Sequence, residues 1–283
     1  MIRRVEMGRS GWLGGAGWVV VVAAMLLGLG TAPVVGQTGQ GASTESETPK
    51  PMAADADPAF EVVTIKLSDP NASGQGFQIS GRYVRVKNKT VNDMISWTYG
   101  IHEKQIVGGP AWFTTDRYEI NGVPDVAGEP NVTQFRSMIR KVLADRFGLK
   151  IHSEKREMPV YALTVAKGGP KLTKSGNTAN DLRNQTDDTN GMEMEFDNTS
   201  MADFALGIMQ YVLDKPVIDQ TGIKGKYNFK LKWTLDEIQA SSEPNASPGL
   251  FTAIQEQLGL KLEATKAPVD VIVIDKVERP SAN

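Results

Sequence analysis

One pattern occurs twice in the chain: Asn-Lys-Thr-Val-Asn-Asp-Met at residues 88–94 and Asn-Thr-Ser-Met-Ala-Asp-Phe at residues 198–204. In each copy a hydroxyl residue, Thr90 or Ser200, is followed three positions later by an aspartate. A hydroxyl at this spacing can accept a hydrogen bond from the third N–H of a helix, while the aspartate reaches back and favours the positive helix end. The pattern therefore predicts that Thr90 and Ser200 are N-caps, each opening a helix.

Alternating strands precede both caps, and helices follow them. Residues 83–87 and 192–196 alternate in side-chain character, as half-buried strands do. After the caps we predict helices at 91–100 and 201–213. In the first helix Trp97 lies in phase with apolar neighbours, which predicts a core-packing role for its ring.

The match between the two parts of the chain extends to their ends. A second helix in each part carries an apolar face and ends at a glycine, Gly148 or Gly259, as a left-handed C-cap prefers. Apolar runs at 160–165 and 269–274 close the two parts as strands. Each part therefore reads strand–helix–strand–helix–strand–strand. We predict an α+β fold of two homologous half-domains, with helices packed on mixed, mainly antiparallel sheets.

These patterns divide the chain into five segments. We predict a signal peptide or membrane anchor at residues 1–36 and a flexible linker, rich in small and polar residues, at 37–58. The first α+β repeat occupies 59–172 and the second occupies 192–280. Residues 173–191 are polar and rich in Asn and Asp, and are predicted to link the two repeats.

The first residues are typical of a targeting segment. Three arginines among the first nine residues precede an uncharged stretch whose apolar centre, residues 18–29, has the length of a signal-peptide core. We expect cleavage after Gly36 and export, with a periplasmic or extracellular location. The alternative is a retained membrane anchor, because residues 12–35 counted in full could just span a bilayer.

Composition excludes several classes of function. The chain of 283 residues contains no cysteine, which excludes disulfides, thiol catalysis and cysteine-ligated metals. Its formal net charge is −2, and without residues 1–36 it holds 28 basic and 32 acidic residues, a net charge of −4. This mild acidity argues against nucleic-acid partners. We expect contact with a membrane only through the N-terminal segment.

Motifs for bond-breaking chemistry are missing from the sequence. The only histidines, His102 and His152, are interpreted as structural or solvated, and no Gly-x-Ser-x-Gly elbow is present. Carboxylates that a glycosidase could use have no spacing that requires such a role; they are Asp116, Glu119, Asp145, Asp219 and Asp236. We therefore predict no catalytic residue, no metal ligand and no cofactor.

Three residues are the candidates for ligand binding: Trp112, Tyr118 and His102. Trp112 follows Pro110 in a predicted loop, where an exposed tryptophan would anchor a peptide or a glycan. The alternative interpretation makes the same ring a buried plug over the sheet. Tyr118 begins a strand shortly afterwards, and His102 follows a predicted helix end whose carbonyls it would satisfy.

Several longer motifs resemble a known family. They are Gly-Gly-Pro-Ala-Trp at residues 108–112, Leu-Ala-Asp-Arg-Phe-Gly-Leu-Lys at 143–150, Pro-Val-Tyr-Ala-Leu at 159–163 and Val-Ile-Asp-Gln-Thr-Gly at 217–222. Taken in order, they resemble an uncharacterised family of exported proteins from soil bacteria, especially acidobacteria. The resemblance covers about residues 60–280. It implies export and a domain of unknown function, with no established catalytic residues to carry over.

The resemblance also implies a relation to membrane peptidases. Some relatives carry this domain behind a membrane metallopeptidase of the beta-lactam-sensor type. Here His102-Glu103 lacks the second histidine of the zinc motif His-Glu-x-x-His. The repeat unit is also loosely similar to the short periplasmic modules of secretins and TonB-dependent receptors, which is an analogy of pattern alone.

The function that these observations favour is that of an exported, non-enzymatic binding or protein-interaction module of the cell envelope. We expect a partner protein or peptide to add a strand at the seam between the half-domains or at an exposed sheet edge. One alternative is a hydrolase acting on envelope or extracellular polymers. Another is a sensor-like domain detached from a membrane metallopeptidase.

Overall fold

The computed structural model describes residues 50–176, 181–188, 191–234 and 248–280. The predicted leader at 1–36 lies outside the described residues, as does the first part of the predicted linker, 37–49. No helix in the described part of the chain is long and apolar enough to cross a membrane.

The helices and strands fall into two halves. The elements of the first half are β1 (Phe60–Leu67), β2 (Gly76–Ser80), β3 (Tyr83–Thr90), α1 (Val91–Tyr99), β4 (Ile106–Gly108), β5 (Arg117–Pro124), α2 (Val132–Arg146) and β6 (Lys150–Val165). The elements of the second half are β7 (Thr173–Lys174), β8 (Asp181–Asp188), β9 (Gly191–Thr199), α3 (Met201–Tyr211), β10 (Val217–Asp219), β11 (Tyr227–Trp233), α4 (Leu250–Leu258) and β12 (Leu260–Lys276). Two short 3₁₀ turns, Glu103–Gln105 and Ala111–Thr114, flank β4.

The described strands form three sheets, which confirms the predicted α+β class. The first sheet has the order β1-β5-β3-β2 and belongs to the first half. The third has the order β7-β11-β9-β8 and belongs to the second half. The second sheet, β10-β6-β12-β4, combines strands from both halves. Its central pair, β6 and β12, is antiparallel, and the two outer strands pair in parallel with them.

The duplicated sequence pattern builds two helix starts. Thr90 Oγ1 accepts from the N–H of Asp93, and the Asp93 carboxylate accepts from the N–H of Thr90, each at 3.0 Å. Ser200 Oγ accepts from the N–H of Asp203 at 3.1 Å and donates to its carboxylate at 2.6 Å. Both predicted N-caps are confirmed.

The last strands correct the predicted order of elements. The sequence predicts two separate strands after the second helix of each part. Instead β6 runs unbroken for 16 residues and β12 for 17. They pair antiparallel along their length, from Leu260 opposite Val165 to Ile274 opposite Ile151. Each long strand can continue because its partner from the other half supplies hydrogen bonds beyond the edge of either core.

Each half also contributes one three-residue strand that pairs with the long strand of the other half. β4 of the first half pairs in parallel with β12, and β10 of the second half pairs in parallel with β6. The registers correspond: Ile106 pairs with Ile272 and Val217 with Tyr161, and both Val217 and Ile272 lie 111 positions after their counterparts (217 minus 106, 272 minus 161). Homology of the halves stays a prediction. In both, however, the short strand pairs in parallel with the long strand of the other half, at matching positions.

A large apolar core fills each half. In the first half α1 and α2 bury Met94, Ile95, Phe135 and Leu143 against the first sheet. Trp97 is partly buried in this core, where its ring stacks on Phe77 with centroids 3.9 Å apart, as the helical phase predicts. In the second half Phe196, Phe204 and Phe229 contact one another with centroids 4.8 to 5.0 Å apart. A smaller core of Val160, Ala267, Val269 and Val271 lies on the shared strands.

Both predicted linkers contain ordered contacts. Met52 is 5% exposed, its N–H donates to the carbonyl of Glu129, and Gln134 Nε2 donates to the carbonyl of Ala53 at 2.7 Å. The described end of the first predicted linker therefore packs beside α2. Residues 173–191 contribute β7 and β8 to the third sheet. Polar composition was a poor guide there, because an edge strand needs few buried side chains.

Candidate binding site

His102, one of the three predicted binding residues, ties the two halves together. Its side chain is buried, and its Nδ1 accepts from the N–H of Lys104 at 3.1 Å. Nε2 therefore carries the proton and donates to the carbonyl of Leu213, at 3.1 Å. His102 caps the 3₁₀ turn before β4 and fixes it to the segment that follows α3.

Trp112 and Tyr118 belong to a cluster around Arg279, which follows β12. The guanidinium of Arg279 lies 5.1 Å from the Trp112 ring, and its Nε donates to Asp116 Oδ2 at 3.0 Å. Tyr118 is buried against Phe147. Burial raises the pKa of the Tyr118 hydroxyl, Asp116 raises it further, and Arg279 opposes them. No hydrogen bond or ring contact among the described residues joins this cluster to His102.

The sequence neighbours of all three candidates line one cleft, here called the first cleft. Its volume is about 410 Å³. It lies between the start of α1, strand β4 and the two 3₁₀ turns, and its lining residues are Thr90, Asn92, Asp93, Glu103, Lys104, Ile106, Gly108, Phe113, Thr114 and Arg117. The side chains of Trp112, Tyr118 and His102 do not line this cleft, and their role in binding stays a prediction.

Asn92 is the polar residue of the first cleft that sequence reasoning missed. It is the second residue of α1 and is only 8% exposed. No hydrogen bond to its side-chain amide occurs within the described ranges. A side-chain amide offers two donors and one acceptor, and buried polar groups are almost always bonded. The unfilled bonding capacity of Asn92 therefore faces the cleft that it lines.

The first cleft is lined by two basic and two acidic side chains, which differ in whether they have bonding partners. Arg117 Nη1 donates to the carbonyl of Asn88 at 2.8 Å and lies 3.8 Å from the Asp93 carboxylate. Lys104 Nζ donates to the carbonyl of Asp214 at 2.5 Å. The carboxylate of Glu103 has no hydrogen bond or ion pair within the described part of the chain. Glu103 is therefore the one charged lining residue without a partner in this part of the structure, so the cleft suits neutral or cationic groups.

Strand β4 forms one wall of the first cleft and ends the second sheet. Ile106 and Gly108 of β4 line the cleft, and no other described strand pairs with this side of β4. The longer strands of the sheet are protected differently. Pro159 and Pro268 lie in the stretches of β6 and β12 that have a strand partner on one side only, and proline cannot donate to an added strand.

A second cleft of about 330 Å³ occupies the corresponding place in the other half. It is lined by β10, the start of α3 and the end of α1. Its walls are mainly apolar, with Ile101, Leu206 and Val269 among them. Ala202 stands two positions after the Ser200 cap, where the first half has Asn92. The second cleft therefore lacks the buried amide.

Of the carboxylates considered for catalysis, Asp236 lies outside the described residues, and none of the other four lines the first cleft. Asp219 lines the second cleft, and Asp116 pairs with Arg279. His152 Nδ1 lies 2.8 Å from Asp275 Oδ1 at a partly exposed surface. The first cleft does hold Asp93 and Glu103, although Asp93 is occupied as a helix cap. Within the described ranges no group of three His, Asp or Glu residues could hold a metal ion.

Comparison with known proteins identifies the family of the chain. The family described as "Protein of unknown function (DUF3738)" matches residues 92–277, which includes α1, β4 and both long strands. No curated protein and no solved structure matches the chain. Since the match covers well over half of the sequence, this chain belongs to the DUF3738 family of proteins of unknown function.

Proposed function

We propose that this protein is an exported, non-catalytic binding module of the cell envelope, which takes an extended segment of a partner protein or peptide along β4 in the first cleft. One observation carries the proposal. Among the described strands, β4 has a strand partner on one side only and lines a polar cleft, whereas prolines interrupt the exposed edges of β6 and β12. Strand addition needs such an edge for main-chain hydrogen bonds and an adjoining pocket for side chains.

The cellular setting of the proposal comes from the N-terminal sequence. Basic residues followed by the apolar run 18–29 support export to the periplasm or beyond, with residues 12–35 as the alternative membrane anchor. The resemblance to exported proteins of soil bacteria agrees with this location. The fusion to a membrane metallopeptidase that the resemblance implies for some relatives supports a variant of the same idea, in which the domain senses a ligand for such an enzyme.

The two halves make the binding site asymmetric. We propose that they are homologous, since their caps, short strands and long strands correspond in order and register. In each half the terminal strand of the shared sheet borders a cleft. The second cleft also has polar lining residues, but only the first offers the side-chain amide of Asn92, so we assign binding to the first half and a scaffold role to the second.

The test uses peptides with blocked main-chain groups. The purified full chain is applied to an immobilised array of random extended peptides, and soluble versions of the binders are remade with N-methyl groups at alternate positions. Because strand addition depends on peptide N–H groups, we expect one methylation phase to weaken binding at least about tenfold and the other phase to have little effect. Equal binding of all versions, or the absence of binders, would refute the proposal.

A hydrolase remains the second candidate because Asp93 and Glu103 line the same cleft. In that case Glu103 would act as the free acid or base, since Asp93 is held by the N–H of Thr90. A panel of chromogenic glycosides and esters checks this alternative. Turnover by the wild-type chain that disappears in Glu103→Gln would replace the binding proposal with an enzymatic one.

A further inference from the structure

We infer that Asn92 binds a peptide group of the docked segment and that Glu103 selects a basic side chain beside it. The inference rests on the proposed function and adds the chemistry of the partner: an extended segment carrying lysine or arginine. Three features of the first cleft support it, namely a buried amide with unused bonds, a fixed helix start and one unpaired carboxylate.

The unused bonds of Asn92 match a peptide group. Its Nδ2 can donate to a carbonyl while its Oδ1 accepts from an N–H, the pair of bonds that an extended main chain presents along one edge. Asn92 is 8% exposed, and its amide atoms are not among the fully buried side-chain atoms that lack a partner, so its small exposed area includes the amide. A ligand that completes both bonds exchanges contacts with solvent for two directional hydrogen bonds, and this gain is specific to a donor–acceptor partner.

The start of α1 holds Asn92 in position. Asn92 lies between Thr90 and Asp93, whose reciprocal hydrogen bonds of 3.0 Å fix the first turn. Its side chain is therefore confined before the ligand arrives, which lowers the entropy lost on binding. The positive end of this nine-residue helix further favours the carbonyl oxygen of the bound peptide group.

The unpaired charge of the first cleft is negative. Arg117 and Lys104 already donate to main-chain carbonyls, as described above, and Glu103 keeps an unpaired carboxylate. A lysine or arginine of the bound segment would form an ion pair with this carboxylate. A sugar ligand is disfavoured, because the one aromatic ring among the lining residues, Phe113, is only 2% exposed and offers no face for stacking.

The experiment measures how three variants bind the methylation-sensitive peptides selected from the array. Asn92→Asp keeps the shape of the side chain and suits a helix N-terminus but loses the amide donor. We expect Asn92→Asp and Asn92→Ala to weaken every peptide roughly ten- to hundredfold, as expected when a buried hydrogen bond is lost. Glu103→Gln should instead abolish the preference for peptides containing lysine over the same peptides with norleucine.

The controls separate this inference from the proposed function. Glu61→Gln removes a carboxylate from the exposed surface of β1 and should leave the lysine preference unchanged. Thermal unfolding of each variant verifies that it folds. If peptides bind but do not distinguish lysine from norleucine, or bind the Asn92 variants as tightly as wild type, the inference is overturned and the proposed function stands. If only oligosaccharides on a parallel glycan array bind, both are overturned.

Discussion

The two halves of this protein use the same order of elements and build different clefts. Each has a capped helix, a short strand that pairs with the other half, a second helix and a long strand of the shared sheet. In the first half Asn92 lies two positions after the cap, and its amide lines a polar cleft. In the second half Ala202 takes that position, and the cleft is mainly apolar.

The comparison separates positions that the shared sheet constrains from positions whose residue type can vary. In both halves a short strand pairs with a long strand of the shared sheet, which constrains these strands. The residues just inside the helix starts do not take part in that pairing, so their chemistry can differ between the halves. Comparing matched substitutions in the two halves is therefore a direct way to separate architecture from binding.

The largest effects are expected in the two cores. Phe135→Ala and Phe204→Ala each remove a fully buried ring, and each should lower the free energy of unfolding by about 3–5 kcal/mol. Because β6 and β12 belong to one ribbon, both variants should unfold in a single transition. Urea unfolding followed by tryptophan fluorescence and by far-ultraviolet circular dichroism checks this expectation. Two separate transitions would mean that the halves are independent domains.

A smaller effect is expected where the halves stabilise the shared strands differently. Gln105 Nε2 donates to the carbonyl of Asp270, and its Oε1 accepts from the N–H of His102. Gln105→Ala should therefore cost about 1–3 kcal/mol, because both main-chain groups lose a partner in a poorly hydrated place. In the second half Pro216 precedes β10, and its carbonyl accepts a hydrogen bond from the N–H of Tyr161. Pro216→Ala keeps that carbonyl and should cost less in thermal denaturation; an equal loss would contradict this explanation.

The helix caps should separate stability from binding. Thr90→Ala and Ser200→Ala each delete a cap and should each lower the free energy of unfolding by about 1 kcal/mol. Only Thr90→Ala also loosens the turn that positions Asn92, so only this variant should weaken the peptides selected on the array. Peptide titration of both variants provides the measurement. Equal weakening by Ser200→Ala would show that binding follows stability and not the first cleft.

The smallest effect concerns the N-terminal segment of the first half. Hydrogen bonds from Lys141 and Ser137 lower the pKa of Asp57 below its ordinary value of 3.8, against a small opposing effect of burial. A lowered pKa in the folded state means that the stabilisation is present above the unfolded pKa and lost as the pH falls through the folded one. Acidification should therefore reduce the melting temperature of wild type more than that of Asp57→Asn. Parallel curves of melting temperature against pH for the two proteins would mean that ionised Asp57 does not stabilise the fold.

Local patterns predicted the elements well and the connections between them less well. The caps at Thr90 and Ser200 follow from side-chain reach within one helical turn, which sequence spacing specifies directly. The length of β6 and β12 was missed because many residues in their middle stretches are polar and exposed, and pairing with each other is what keeps them extended. The strands in residues 173–191 were missed for a similar reason, since edge pairing leaves little trace in hydrophobic periodicity.

The side chains that the sequence suggested for binding do not line the first cleft, although their sequence neighbours do. Trp112, Tyr118 and His102 were selected as large or titratable side chains near turns. The structure buries Tyr118 and His102 and covers Trp112 with Arg279, from the far end of the chain. Asn92 carries no signal in one sequence, since an asparagine near a helix start is usually solvated. Its burial results from the 3₁₀ turns and β4 packing over the helix.

The sequence by itself determined the α+β class, the two helix caps, the positions of the helices and the absence of thiol chemistry. These depend on residue type and on spacing within a few positions. Only the tertiary structure decided that the halves share one sheet, that β4 ends at a polar cleft and that Asn92 lines it. Those features arise from contacts between residues more than a hundred positions apart, such as Ile106 with Ile272, which no local pattern encodes.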